Sequence, residues 1–423
     1  MSLKRELKLW QLILAGVGVI LGAGIYALLG KGAEVAGESI WLSFGIGGII
    51  AFLTGLSYAE LSSRFPKAGA EYVYAQSVFP EWIARICGYA LLVVGFTSAT
   101  TVALGFGGYL SGLTSFPIVW GALGVILLSG LILLKGAKFG TSLAGGISLI
   151  EILGLVVVIV IGIPTLSKGF IIPEITQLPT VLYGTAIVFF AFLGFEELVR
   201  MSEETKDAKR KMPIALLAAI AFASVLYVLV SASAIGLVGA EELGKSSSPL
   251  ATVVKPSFGE TGFVLMSLVG LFSTFNTVLL IILAGSRLLY GMGKAKTVPS
   301  FFGETRNSQP MYALLATVLF SCSLLMIPDI TILAQMTDAL LFSVFAVMNL
   351  VVLKLHWKKS PSTGFRVPLD VGIVSLPALL GLVSSLGMLF FIHEEVLLYS
   401  AAFFTIIAVV LHWFRGKKSK KGK

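Results

Sequence analysis

Charge is what this sequence lacks most. Of its 423 residues only 13% are Asp, Glu, Lys or Arg, where a soluble chain carries about a quarter, and the mean hydropathy is +0.96. A chain this apolar cannot cover its surface with polar groups in water, so lipid is its solvent over much of its length. Cysteine is nearly absent: Cys87 and Cys322 lie inside or at the edge of apolar runs, which argues against a disulfide framework or a metal cluster. The three histidines, His356, His393 and His412, stand at the ends of apolar runs with no metal-ligand spacing between them. No H-E-x-x-H motif, paired aspartates or Ser/His set lies at membrane depth, which speaks against an intramembrane enzyme, and no cofactor is expected. A cleavable signal is not expected either, because Met1 to Lys8 are polar and no small-residue cleavage site follows the first apolar run.

Long apolar runs are plentiful. Stretches of spanning length fall at about 9–29, 40–61, 83–110, 117–134, 142–164, 180–199, 213–236, 262–290, 311–327, 330–353, 372–392 and 396–414. Twelve spans place both chain ends on one side. That side collects all but four of the 31 lysines and arginines, the exceptions being Lys31, Lys168, Lys245 and Lys255. Positive loops resist translocation, so the basic face is expected to be cytoplasmic, in the cell membrane, with both termini there. The same placement argues against nucleic acid as a partner, since the charges are spread over short loops with no folded basic domain to hold them. The tail 415–423 is a topology anchor or a contact for anionic lipid head groups. The loop 237–260 reads as external, with room for a short surface helix, and 206–211 as a solvated loop on the basic face.

Glycine breaks the pattern in two spans. The first span holds Gly16, Gly18, Gly22 and Gly24. Interior glycine costs about 1 kcal/mol relative to alanine in a helix and lets the backbone leave helical dihedrals. Taken alone, the cluster reads equally well as close helix packing through Gly18 and Gly22. The sixth span, Val188 to Glu197, runs aromatic, then Gly194, then two carboxylates near membrane depth. If the first ten spans form two five-helix repeats, spans one and six correspond, and an odd repeat length makes the second repeat inverted. Paired Gly-interrupted spans in corresponding places point to a transporter's midplane site. A broken helix frees N–H groups at the start of its second half and C=O groups at the end of its first, and such backbone survives at that depth only where protein covers it or it lines a cavity. A zwitterion offers a carboxylate to the first set and an ammonium to the second, so an amino acid is the natural solute.

These residues also carry a family resemblance. Gly22-Ala23-Gly24-Ile25-Tyr26 is similar to the G-x-G-I-F/Y turn of the amino acid–polyamine–organocation transporters. Tyr58 to Tyr72 resembles that family's second span and following loop. Phe189 to Glu196, with Glu203-Glu204 and Pro213, resembles its sixth span, while Ser286-Arg287-Leu288-Leu289-Tyr290 and Phe365-Arg366-Val367-Pro368 resemble later landmarks. Each motif is short, but five in order run from the first span to the eleventh. The look is nearest to the cationic-amino-acid-transporter-like prokaryotic permeases. The resemblance implies an all-α integral membrane protein of about twelve transmembrane helices with the leucine-transporter-type fold: repeats at 9–164 and 165–355, two further spans at 356–414, and cytoplasmic ends at 1–8 and 415–423. It also implies that the N–H groups of Ala23 and Gly24, in the turn from Gly22 to Ile25, receive the substrate carboxylate. The carbonyls of Ile20, Phe190 and Leu193, beside Gly194, would receive the ammonium, with Phe190 or Phe192 as an aromatic lid. On the plainer reading the two phenylalanines face lipid or neighbouring helices.

An ionisable group at membrane depth marks a pathway by default. Glu151 lies about ten residues into the fifth span, about 15 Å along its axis, and no basic residue shares that span. Relatives coupled to protons commonly carry a lysine near this position, so this chain departs from the family there. Glu151 is open to three readings: proton or cation coupling, structural pairing, and polarity of a gate. Ser273, Thr274 and Thr277 of the eighth span offer oxygen ligands to an ion, or simply bond their own helix. Glu196 resembles a family acid on the cytoplasmic pathway. Glu60, near the end of span two, is read as a gate acid pairing with Arg64, Arg200 or Arg210. In span three Thr97, Ser98 and Thr101 can face the solute. Close relatives often have a glutamate where this chain has Val94, which favours small or apolar neutral solutes over cationic ones. The expectation is a secondary amino acid transporter coupled to H+ by symport, with an amino acid or polyamine exchanger as the alternative and sodium coupling behind both; the residues leave the oligomeric state open, a monomer included. A channel would show a continuous polar stripe or charged rings, and the spans show neither.

Overall fold

The computed structural model describes residues 8–419 except 68–69, 136, 307–308, 362–363 and 372, and the backbone alone at 137–148, 203 and 412–419. The N-terminal segment before Lys8 and the end of the basic tail therefore lie outside the described residues, as does the side chain of Glu203. The chain is built of helices, with one two-residue hairpin pairing Asp370–Val371 with Val374–Ser375. In chain order the helices are α1 (Leu9–Ile20), α2 (Ala23–Ala36), α3 (Ile40–Arg64), α4 (Ala70–Gln76), α5 (Glu81–Thr114), α6 (Ile118–Leu134), α7 (Ala137–Gly162) and α8 (Leu166–Gly169). They continue with α9 (Leu178–Val188), α10 (Phe195–Leu198), α11 (Ala208–Lys245), α12 (Pro249–Lys294), α13 (Met311–Leu324), α14 (Ile330–Trp357), α15 (Leu376–Met388) and α16 (Glu394–Ser419).

Eight helical segments are long and apolar enough to cross a membrane, and four shorter apolar helices accompany them. Their outer surface is apolar: Ile49, Leu131, Val160, Leu319, Val383 and Leu398 are all exposed. A surface like that is stable only against hydrocarbon. Trp10, Trp82, Trp120 and Trp357 are exposed near helix ends, the placement expected of an interfacial aromatic belt.

The interior is organised by α5, which is buried along most of its length and packs against α6, α12 and α14. On the other side α11 packs along α3 and against α1. The 237–260 stretch is more helical than a loop. Gly239 (φ 76°) and Gly259 (φ 62°) turn the backbone sharply inside α11 and α12, and the positive dihedrals there suit glycine. The residues between these turns form short helical pieces against α2 and α5 instead of an open loop.

Both glycine-marked spans are broken. The first stops at Ile20 and restarts at Ala23 after Leu21 (φ −73°, ψ 10°) and Gly22 (φ −55°, ψ −163°). The sixth runs as α9 to Val188, tightens to a 3₁₀ turn at Phe189–Phe192, and passes through extended Leu193 and left-handed Gly194 (φ 115°) before α10. A Cβ at Gly194 would sit 2.6 Å from Val19 Cγ1, so this position is constrained by contact as well as by dihedral. Gly194→Ala is expected to cost at least the ~1–2 kcal/mol of a left-handed non-glycine residue and to lower the thermal unfolding midpoint in detergent. Gly124→Ala, in a helix with open space around it, is expected to leave the midpoint unchanged or slightly raised.

Candidate functional site

The two breaks lie against one another. A Cβ on Gly24 would fall 2.5 Å from Ala191 Cα, so glycine is what lets the first turn of α2 touch the 3₁₀ turn. Once out of the helical ladder, the backbone groups here need partners, because none can be left to hydrocarbon. Several come from distant helices. The Thr277 hydroxyl accepts from the Ala23 N–H at 3.0 Å. The Tyr227 hydroxyl lies 2.6 Å from the Ile20 carbonyl and 2.9 Å from that of Ala191. The Glu196 carboxylate accepts from the Gly194 N–H at 2.9 Å, and the Leu193 N–H donates to the Phe190 carbonyl at 3.1 Å. The N-terminal turn of α2 carries no side-chain cap from Gly22.

The expected site residues are therefore together, with their polar groups differently engaged. Ile20, Gly22, Ala23, Gly24 and Ile25 line one break, and Phe190, Phe192, Leu193 and Gly194 form the other. Thr277 is a backbone partner of α2. The Ile20 carbonyl already has a donor. Phe192 packs on Tyr227 with ring centroids 5.3 Å apart and covers Gly47 and Gly48 of α3, and Phe190 is also buried. Thr97 and Thr101 donate to their own helix at Val93 and Thr97, and Thr97 also accepts from Thr337 of α14 at 2.7 Å.

Glu151 is buried, and its Oε1 accepts from Asn276 Nδ2 at 3.1 Å. Ser273 faces the same carboxylate without closing a hydrogen bond, while Thr274 donates to the Gly270 carbonyl. Tyr26 joins this group to the first break: it donates to the Glu151 carbonyl at 2.6 Å, and its own carbonyl accepts from Tyr109 at 3.0 Å. Sequence reasoning missed Asn276, although an amide three residues after Ser273 in an apolar run was a usable signal.

On the basic face Glu60 pairs with Arg64 at 2.6 Å, as expected, and has two further partners. His356 Nε2 lies 2.9 Å from Oε2, and the Val367 N–H donates to the same oxygen at 2.7 Å. His356 Nδ1 is 3.1 Å from Asp370 Oδ1. A carboxylate oxygen thus stands at each ring nitrogen. His356, unremarkable in the sequence, is thus a buried link between α3, α14 and the hairpin. Arg200 pairs with Glu197 at 2.7 Å and with Glu71 at 3.6 Å, so Glu196 is a backbone cap and Glu197 the ion-pair partner. Burial pushes the Glu71 carboxyl above the usual carboxylate range, against the pull of Arg200. Glu71, Glu197 and Arg200 line a cavity of about 610 Å³ that continues past Gly88 and Leu91 of α5 to Arg287 and Met292 of α12. It lies on the basic-face side of the second break.

Comparison with known proteins gives this geometry a context. The family described as amino acid permease matches residues 7–412. An uncharacterized protein of Methanocaldococcus jannaschii is 28% identical, over 90% of this chain and 88% of its own length. The branched-chain amino acid permease BcaP of Bacillus subtilis is 26% identical, over 99% of this chain and 95% of its own. The vacuolar cationic amino acid transporter 4 of Arabidopsis thaliana is 27% identical over 84% of this chain, which spans 64% of that longer protein.

Glu60→Gln is expected to destabilise the fold by ~3–5 kcal/mol, the cost of breaking a buried pair, read as a lower unfolding midpoint in detergent. With His356→Gln added, the loss should be clearly less than the sum of the two single losses. Strict additivity would show that the two side chains do not share an interaction.

Proposed function

Because the chain belongs to the amino acid permease family, we propose that it is a secondary active transporter, a multi-pass protein of the cell membrane that carries amino acids by alternating access. The observation that supports this most is the contact of two broken helices at Gly24 and Ala191, each break dressed by side chains from other spans. An amino acid carboxylate fits the first turn of α2, where Gly24 and Ile25 open the helix and Ala23 shares its N–H with Thr277. The ammonium turns toward Phe190–Leu193, and Phe190 closes over the solute. The basic face is cytoplasmic in this reading, and the 610 Å³ cavity is the route from the site to that side. The helices form two inverted repeats of five with two further helices, and α1, α2, α3, α9, α10 and α11 rock against the rest.

Glu151 is the coupling group in this reading. It carries a proton between the two sides; Asn276 bonds its carboxylate, and Tyr26 ties its backbone carbonyl to the first break. Symport with H+ follows, and exchange of one amino acid for another is the second reading. The relatives bear names that divide between branched-chain and cationic amino acids. Val94 in span three favours neutral, small or apolar solutes.

Uptake into proteoliposomes of a labelled amino-acid panel, driven in turn by a proton gradient, a sodium gradient or internal amino acid alone, tests the reading. Saturable uptake of neutral amino acids under the proton gradient is expected, and its absence under every drive would refute transport. Glu151→Gln is expected to abolish proton-driven accumulation while leaving exchange. If accumulation persists, Glu151 is not the carrier of the proton. Gly24→Val should reduce amino acid binding at least tenfold in protein that remains inserted and monodisperse, and normal affinity would displace the carboxylate from this turn.

A further inference from the structure

One buried acid takes no part in the arrangement described so far. Asp338 lies eight residues into α14, about 12 Å along its axis, and is fully buried. Neither of its carboxylate oxygens has a hydrogen-bond partner. Gln335, one turn earlier on the same face, is equally buried, and both polar atoms of its amide are also unpaired. Residues three apart are neighbours on a helix surface, so a carboxylate and an amide without hydrogen-bond partners share one buried patch. Leaving such groups unpaired costs free energy, more for a charged group than a neutral one, and a native site that tolerates it calls for an explanation.

The surroundings say what would satisfy it. Asp338 faces the backbone amide of Phe190 at the second break. Four residues further along α14, Phe342 packs on Phe189 with ring centroids 4.5 Å apart, which fixes this face of α14 against the break. Among the described residues no salt bridge includes Asp338. The carbonyls on which an ammonium would otherwise rely are partly engaged: Ile20 and Ala191 by the Tyr227 hydroxyl, Phe190 by the Leu193 N–H. Asp338 is the acidic side chain beside them, with the Phe190 backbone amide as its one nearby donor.

We propose that Asp338, with Gln335 beside it, is the specificity-determining acceptor for the α-ammonium group of the solute, so that the site selects primary α-amino acids over their deaminated analogues through a side chain of α14. This rests on the reading of the breaks as an amino acid site. The carboxylate forms a charge-assisted hydrogen bond with the ammonium, and the Gln335 amide oxygen accepts a second N–H. A site built to pair a donor rejects an analogue that lacks it, because its own acceptor is then left stranded.

Two matched pairs test this in proteoliposomes: labelled L-alanine and L-leucine as substrates, with propionate and 4-methylpentanoate as competitors. The wild-type protein is expected to prefer each amino acid over its deaminated acid by at least thirtyfold. Asp338→Asn should weaken the amino acid at least tenfold, leave the deaminated acid within threefold, and so flatten the preference. Asp338→Ser, smaller than the residue it replaces, is measured alongside, so that misfolding of one variant leaves the other to decide. Asp338→Glu should restore part of the preference, which a purely structural role would not do. A wild-type preference retained in either neutral variant overturns the assignment while amino acid transport stands. Failure of the wild-type protein to take up any amino acid defeats the underlying reading instead.

Discussion

The hydroxyl of Tyr227 holds the centre of this molecule. It reaches the Ile20 carbonyl, where the first span stops, and the Ala191 carbonyl, inside the 3₁₀ turn of the sixth. A phenol carries one proton, so it serves one of these carbonyls at a time while staying within reach of both. In lipid an unpaired carbonyl costs several kcal/mol, and two interrupted helices would be untenable without such partners. The Thr277 bond to Ala23 is the same solution, a side chain from another helix on irregular backbone, while the Glu196 bond to Gly194 is a local one and Gly24 meets the backbone of Ala191 directly.

That constraint explains which features could be read from the residues alone. Gly194 announces itself, because an apolar run has little other use for a glycine followed by two carboxylates, and it decides the reading of Gly22 and Gly24, which alone fit close packing equally well. The breaks fall where the pattern put them, and the long apolar runs correspond to helices. The partners were not legible. Tyr227 lies 207 residues from Ile20, and Asn276 lies 125 from Glu151. Nothing in a single tyrosine or asparagine within an apolar span says which other span it will meet.

Polar residues misread in the sequence were misread for the same reason. His356 looked like the end of a span, yet it ties Glu60 to Asp370 across 296 residues on one side and 14 on the other. Glu196 and Glu197 are adjacent and chemically identical, but one caps a backbone amide while the other pairs with Arg200. Position on a helix that has just passed through a left-handed residue separates them, and that turn is set by tertiary contact. Asp338 is instructive in the opposite sense, since one acid in a long apolar run was a visible signal that the glycine pattern overshadowed.

The broken first span has a consequence for how the protein is made. Its two halves, Leu9–Ile20 and Ala23–Ala36, rise about 18 and 21 Å, so neither alone crosses a hydrocarbon layer of about 30 Å. The tyrosine that completes the break arrives 207 residues later. At synthesis rates of about 5–20 residues per second, the nascent chain waits roughly 10–40 s with its first span unfinished. During that interval the insertion machinery or the already inserted neighbours must shelter the exposed carbonyls. The chain therefore cannot be assembled in the bilayer strictly from its beginning; its first helix is closed only once more than half of the chain has been made.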